Sequence, residues 1–291
     1  MADASFRPDL YRGTAGYYDR FRLAYPDTML TDLIRRTSPS GRGRLLDLAC
    51  GTGQLAFPLC AGFAEVWAVD AEADMGEVIR AKVAAGGDVA DARAGTVRAA
   101  SCGDAAHVRV VTAKAEDLDL DAGSVELVVI GNAFHRLPRD LVARRALTWL
   151  EPGGHLALCW STSPWAGPLD WQRAFGDVLR RWQEALGATS RVPPGAEQRR
   201  QTDPDREVLS RAGFEPAARY EFEAEHRWTV EELTGHVRST SFLPPSVLAD
   251  RATEFDGDLR TVLSPYAVDG HLTETVSFAY DLARKRGRVA G

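Results

Sequence analysis

Lysine is almost missing from this sequence. It occurs only at positions 82, 114 and 285, and all other basic residues are arginines. With 35 Lys and Arg against 41 Asp and Glu in 291 residues, the formal net charge is −6. That balance, with no basic stripe, provides no field for a polyanion and argues against a nucleic-acid partner. The cysteines are few (Cys50, Cys60, Cys102 and Cys159), with no C-x-x-C pair and no His-flanked cluster. No metal site is therefore expected, and buried, reduced thiols are. No apolar run approaches the roughly 18 residues of a membrane helix, and the opening MADASFRPDLYRG lacks the apolar stretch of a signal peptide. These absences lead to the expectation of a cytoplasmic protein with no membrane partner. Internal repeats and low-complexity blocks are also lacking. What is present is an ordinary globular composition, 45% hydrophobic and 26% charged, long enough for two units or for one larger α/β domain with insertions.

Tyr11, Tyr17, Tyr18, Phe21 and Tyr25 crowd the start of the chain in a region that reads as helix, weakened by Gly13 and Gly16. Pro26-Asp27 restarts a helix with Leu30, Leu33 and Ile34 on its apolar face, ended by Ser38-Pro39-Ser40-Gly41. Apolar runs and helical patterns then alternate. Strands are expected at Arg44–Cys50, Glu65–Asp70, His107–Thr112, Glu126–Ile130 and His155–Trp160. The intervening helices are Gln54–Ala61, one bearing Met75, Val78, Ile79 and Val83, and one from about Pro138 to Leu150; residues 85–106 carry no assignable pattern. Near-continuous apolar strands alternating with helices predict a parallel sheet covered on both faces, with its ligand crevice at the carboxyl ends of the strands. Beyond residue 160, Trp171, Phe175, Val178, Trp182 and Leu186 form an amphipathic stripe. A polar loop over 190–206, a strand near 216–226, helical segments at 229–242 and 246–262 and a β-rich run at Leu272–Tyr280 complete the expectation.

The strongest chemical signal is Asp47-Leu-Ala-Cys-Gly51-Thr-Gly53 at the end of the first strand. Glycines there allow a sharp turn and close approach to a ligand, and the following helix start offers free N–H groups. Asp70 ends the second strand, where a carboxylate can accept both hydroxyls of a ribose. A dinucleotide site can be read from Gly51, Gly53 and Ala56. Against it, Asp47 places an acid inside the strand end, which suits a ligand with a cationic amino group, such as S-adenosylmethionine (SAM).

At these residues the chain resembles the class I SAM-dependent methyltransferases, particularly their small-molecule branch. D-L-A-C-G-T-G (47–53) is similar to that family's first motif, with Ala49 where many members have Gly. V-D-A-E-A-D-M (69–75), A-E-D-L (115–118) and L-x-P-G-G (150–154) are similar to later motifs, and Y-Y-D-x-F-R-x-x-Y-P (17–26) to the entry segment. The matches span residues 17–160 in the family's order. The resemblance implies that Asp47, Gly51 and Gly53, with Ala49 between them, hold the methionine part of SAM. It places Asp70 on the ribose, Ala71 beside it, Met75 against the adenine, and Ala115 and Glu116 at the adenine edge. Lys114 stands where many relatives have Asp, which leaves adenine recognition to the Ala115 backbone and Glu116. Gly131-Asn132-Ala-Phe134-His135 would pass the sulfonium, with Asn132 and Tyr18 also touching the cofactor.

His135 has two readings: a base that takes a proton from the acceptor, or a ring packed beside Phe134 that shapes the pocket. Met75 reads equally as core, and Glu116 as a solvated turn acid. Tyr17, Tyr25, Phe134, Trp160 and Trp165 are candidate acceptor contacts, with Tyr17, Tyr18 and Tyr25 forming an aromatic lid. No Asp, Asn or Ser followed by Pro-Pro-aromatic occurs after the fourth strand, which argues against methylation of bases or glutamine. The expected fold is α/β, a Rossmann-like doubly wound sheet of seven strands, mostly parallel with the last antiparallel. Residues 1–40 are expected as a helical cap, 41–160 as the SAM-binding core, and 161–291 as remaining strands with a helical substrate lid at about 229–264. The expected function is SAM-dependent methyl transfer to O, N or C of a small-molecule metabolite, in secondary metabolism, with S-adenosylhomocysteine as product. The alternatives are a SAM-using cyclase or lyase, an NAD-dependent dehydrogenase, or a non-catalytic SAM-binding protein.

Overall fold

The computed structural model describes residues 10–85, 108–191 and 202–287. The unassigned stretch 85–106, apart from its first residue, lies outside the described residues, as do Cys102, His107 and much of the expected loop 190–206.

Seven strands form one sheet in the order β3-β2-β1-β4-β5-β7-β6. They are β1 (Arg44–Leu48), β2 (Glu65–Asp70), β3 (Val108–Thr112), β4 (Val125–Gly131), β5 (Leu150–Ser161), β6 (Ala218–Trp228) and β7 (Leu272–Arg284). All neighbours are parallel except β7, which runs antiparallel to both β5 and β6. Strand side chains alternate between faces. Leu45 and Asp47 of β1 therefore point to one side, while Leu46 and Leu48 point to the other. On the first side Leu45 packs with Val66, Ala68, Leu127, Val129 and Phe278. That face is covered by helix α2 (Asp27–Thr37) through Met29, Leu30 and Leu33, and by the single turn α3 (Ala56–Leu59). On the second side Leu46, Leu48, Val128 and Leu156 pack under α5 (Arg139–Trp149) and α7 (Asp205–Ala212). Burial on both faces is why these strands read as continuous apolar runs rather than as alternating ones.

A third apolar cluster lies among helices. Trp171, Phe175 and Trp182 of α6 (Asp170–Ala185) pack against Leu233 and Val237 of α8 (Val230–Arg238), and against Phe255 and Leu259 of α10 (Ala252–Leu263). The turn α9 (Pro245–Leu248) joins the last two. Helices α8 to α10 occupy the interval between β6 and β7. Helix α1 (Ala15–Phe21) lies against α8, while α4 (Ala73–Ala84) follows β2. No helix of the described residues is long and apolar enough to cross a membrane.

Several boundaries differ from those expected. β1 stops at Leu48 because Ala49 leaves extended geometry with φ +52°. The helix expected at Gln54–Ala61 is a four-residue turn followed by a 3-10 turn, Cys60–Gly62. β5 begins at Leu150, ahead of its irregular pairing at Val125/Leu127, so the Pro-Gly-Gly stretch belongs to the strand. The helix Asp205–Ala212 starts within the expected loop 190–206 and continues over residues given no element; its polar sequence hides the two buried residues, Val208 and Leu209. β7 runs past its expected end at Tyr280 to Arg284, and β6 lies two residues further on than expected, because the two pair with each other from Ala218↔Leu282 to Trp228↔Leu272. Cys50 and Cys159 are free and buried, but Cys60 is disulfide-bonded, which corrects the expectation of reduced thiols throughout.

Candidate functional site

Where β1 ends, the backbone enters the left-handed region three times in five residues: Ala49 (φ +52°), Gly51 (+55°) and Gly53 (+87°). Glycine adopts these angles without steric cost; alanine does so at a cost. The turn brings two acids together. Asp47, 1% exposed, accepts from Ala56 N–H at 2.9 Å through Oδ2, while its Oδ1 is buried with no partner. Asp70, at the end of β2, accepts from Gly51 N–H at 2.8 Å and from Glu72 N–H at 2.9 Å. Burial raises the pKa of Asp47 well above the ordinary carboxylate value, and the neighbouring Asp70 adds to the rise. Burial also raises that of Asp70, against the hydrogen bonds from Glu72 and Gly51.

Tyr18, Tyr25, Asp47, Ala49, Cys50, Gln54, Leu55 and Gly131 line a pocket at this point. Two rings close it. A Cβ on Gly51 would lie 2.9 Å from the Tyr18 ring, and one on Gly131 would lie 2.8 Å from the Tyr25 hydroxyl, so each glycine seats a tyrosine. The cavity left is about 10 Å³, space for a water molecule and nothing larger. A larger ligand therefore requires lining side chains such as Tyr18, Tyr25 or Gln54 to shift. Burial pushes the Tyr18 hydroxyl up to about 12 and raises that of Tyr25 well above its ordinary value, so both are neutral phenols. A larger cleft, about 410 Å³, opens between Gly13–Gly16 and α4, away from the glycine turn.

Helix α1 is anchored over the turn from both ends. Lys82 donates to Thr52 O at 3.1 Å and pairs with Asp19. Arg22 donates to Ser239 Oγ at 2.8 Å and to Ser239 O at 3.2 Å, with its guanidinium 4.9 Å from the Tyr18 ring centre. The His236 ring contacts Phe21 O at 3.1 Å through Nδ1, and burial keeps this histidine neutral. Ahead of α1, Gly13 N–H donates to Asp74 at 2.9 Å. Glu72 beneath this segment is pushed up to about 7 by burial, then by Asp74 and Asp70, and its Oε1 is buried without a partner.

The structure thus gathers Asp47, Ala49, Gly51, Gly53, Asp70, Tyr18 and Tyr25 around one turn. Ala71 follows Asp70; Met75 is buried on α4, Ala115 is buried in the core below α5, and Glu116 is half-exposed in the turn after β3. Asn132 (φ +51°) joins the ends of β4 and β5: its Oδ1 accepts from Ser161 N–H at 3.0 Å and its Nδ2 donates to Ser161 Oγ at 3.2 Å. His135 is half-buried in the 3-10 turn Phe134–Arg136 that follows β4.

Four expected acceptor contacts sit away from this pocket. Phe134 is core, packed with α5 residues. Tyr17, one step round the helix from Tyr18, stacks on Phe21 at 6.1 Å under Arg238. Trp165 packs edge-on against Phe175, His236 and Phe242 in the helical cluster. Trp160 is half-buried below the Arg219 guanidinium. Conversely, no role for Lys82, Glu72 or Arg22 is read from the sequence, although Arg22 falls within the 17–26 motif, Glu72 within the 69–75 motif, and Lys82 is one of three lysines.

Comparison with known proteins adds to this geometry. Residues 46–158 match the family described as a methyltransferase domain. An uncharacterized methyltransferase of Mycobacterium tuberculosis is 29% identical over 171 residues, 59% of this chain and 59% of the relative, so the alignment spans under two thirds of that protein. A phosphoethanolamine N-methyltransferase of Haemonchus contortus, solved with phosphomonomethylethanolamine and S-adenosylhomocysteine, superimposes with a TM-score of 0.52. It is 16% identical, over 97% of this chain and 60% of that one. The 4+2 cyclase SpnF superimposes with a TM-score of 0.50 at 18% identity, over 92% of this chain and 84% of that one. A fold common to a methyltransferase and a cyclase leaves the reaction to be argued from the site itself.

Proposed function

With residues 46–158 matching the methyltransferase-domain family, we propose that the chain transfers a methyl group from SAM to an O, N or C atom of a small molecule. The observation that carries this reading is the partnerless buried Oδ1 of Asp47 beside the glycine turn. A buried acceptor of this kind is costly unless a ligand supplies a donor, and the α-ammonium of SAM is a charged one. Asp70 suits the ribose, because each carboxylate oxygen retains a second lone pair after accepting its backbone N–H. When bound, SAM supplies an electrophilic methyl group and its own leaving group, S-adenosylhomocysteine. The protein's share is then alignment and exclusion of water.

Each residue has a part in that share. Asp47 and the turn hold the amino-acid end, and Tyr18 and Tyr25 close over it. Asn132 and Ser161 fix the ends of β4 and β5 against each other. His135, on the turn after β4, takes the proton that an acceptor hydroxyl or amine loses as its bond to carbon forms. The cap formed by α1 and the helices α8–α10 selects the acceptor. The test is titration calorimetry with SAM and S-adenosylhomocysteine, expected to give micromolar binding. Folded protein that gives no heat with either refutes the reading. His135→Ala is expected to lower turnover by about 10²–10⁴-fold and flatten the pH profile near neutrality; full turnover at every pH removes His135 from the mechanism.

A further inference from the structure

Three guanidinium groups from distant parts of the chain meet on one buried turn, Ser239–Ser241, just beyond α8. Arg22 donates to the Ser239 hydroxyl and carbonyl. Arg136 donates to Ser241 Oγ at 2.9 Å and Arg191 to Ser241 O at 2.6 Å. Arg22 and Arg136 are half-buried, and among the described residues neither has a carboxylate within ion-pair distance. Four other half-buried arginines are neutralised, Arg36 by Asp32, Arg44 by Glu65, Arg139 by Asp203 and Asp205, and Arg238 by Asp256, whereas Arg145 rests on Leu118 O. Besides these hydroxyl and carbonyl dipoles each cation has an aromatic face, Tyr18 for Arg22 and Tyr11 for Arg136, but no counter-charge, and a partly desolvated cation so held is under-compensated.

Their position gives this arrangement a use. The Arg22 guanidinium lies over Tyr18, the ring that covers Gly51, and its charge opposes the upward shifts of both Tyr18 and Tyr25. Arg136 directly follows His135 and lies 5.3 Å from the Tyr11 ring centre. Arg22 and Arg136 thus sit on the same Ser239–Ser241 turn, one against Tyr18 and the other against Tyr11. Each guanidinium has five N–H donors, of which few are used here.

We propose that the acceptor carries an anionic group, a carboxylate or a phosphate, received by Arg22 and Arg136 against the Ser239–Ser241 turn while the atom to be methylated faces His135. This rests on the methyl-transfer reading above and narrows its acceptor class. The charged group anchors the acceptor's far end, and the tyrosines contact its apolar part.

The experiment uses protein saturated with S-adenosylhomocysteine, whose own binding is measured first. Two matched pairs of probes are then titrated and followed by ligand-observed NMR: benzoate with benzamide, and phenyl phosphate with phenol. One anion is expected to bind about tenfold or more tighter than its neutral partner, as charge-assisted hydrogen bonds imply. Which anion is preferred separates a carboxylate acceptor from a phosphate acceptor. In Arg136→Gln that preference is expected to vanish while S-adenosylhomocysteine affinity is kept; Arg136→Lys, retaining the charge without the fork, is expected to fall between. Equal binding of anion and neutral probe by the native protein, including no binding of any probe, overturns the proposal. So does a preference that survives in Arg136→Gln. Failure of S-adenosylhomocysteine itself to bind refutes the cofactor reading instead, so the two failures are distinguishable.

Discussion

Replacing Asp47 by Asn is expected to stabilise the protein and weaken its hold on the cofactor at once. The native carboxylate is 1% exposed, bonded through Oδ2 to Ala56 N–H and partnerless at Oδ1, and burial holds its pKa well above the ordinary carboxylate value. An acid whose pKa is raised on folding contributes stability that is fully present below the unfolded value and is lost as pH rises through the folded one. The amide keeps the Ala56 bond through its carbonyl oxygen and has no charge to bury. The Asp47→Asn protein is therefore expected to match or fall below wild type in acid and to melt higher in alkali. The opposite sign is expected for binding. Loss of a charge-assisted bond to the α-ammonium costs about 1.5–3 kcal/mol, which is roughly a 10- to 150-fold weaker Kd for S-adenosylhomocysteine. Calorimetry at several pH values tests both halves. 5′-Methylthioadenosine, which lacks the amino-acid end, is expected to bind variant and wild type alike. Native affinity for S-adenosylhomocysteine in Asp47→Asn, or a lower melting temperature in alkali, would refute the reasoning.

Glu72, raised from 4.5 to about 7, makes its stability contribution below the lower value and loses it as pH rises through the upper. Glu72→Gln is accordingly expected to melt like wild type near pH 4 and higher near pH 8, and parallel melting curves at both would contradict that. Ala49→Gly relieves about 1–2 kcal/mol of left-handed strain against roughly 0.5–1 kcal/mol of added chain entropy. A melting temperature a few degrees higher is expected, and a clear drop would mean that the alanine methyl packs usefully. Lys82→Met removes the link to Thr52 O and Asp19. Hydrogen exchange across residues 15–21 is expected to speed up about tenfold, as loss of about 1.4 kcal/mol of local protection would give; unchanged exchange would show that the α8 contacts hold α1 alone.

The sheet was legible where one local pattern decides. Leu45-Leu46 and Val66-Trp-Ala-Val69 are apolar on both faces because both faces are covered, and Gly51 and Gly53 mark a turn that few other residues could make. Legibility fails where a remote partner decides. Val208 and Leu209 sit among charged residues, so α7 has little apolar pattern until α5 is beside it. Tyr17 and Tyr18 are identical in composition terms, and only the roll of α1 sends one to Arg238 and the other to Gly51. Arg22 and Ser239 stand 217 positions apart, with nothing in either neighbourhood to announce the other.

The placement of β7 between β5 and β6 has a consequence for how this chain reaches its native state. Strands β1 to β5 can assemble from local βα units, but β6 has no sheet neighbour except β7. Until residues 272–284 arrive, β5 presents an open edge of unpaired backbone N–H and C=O groups, and β6 is an orphan segment. Long-range strand insertion of this kind is slow, and an unpaired edge invites association in the meantime. Substitutions along β7 should therefore show first as lost soluble yield, and only afterwards as altered catalysis.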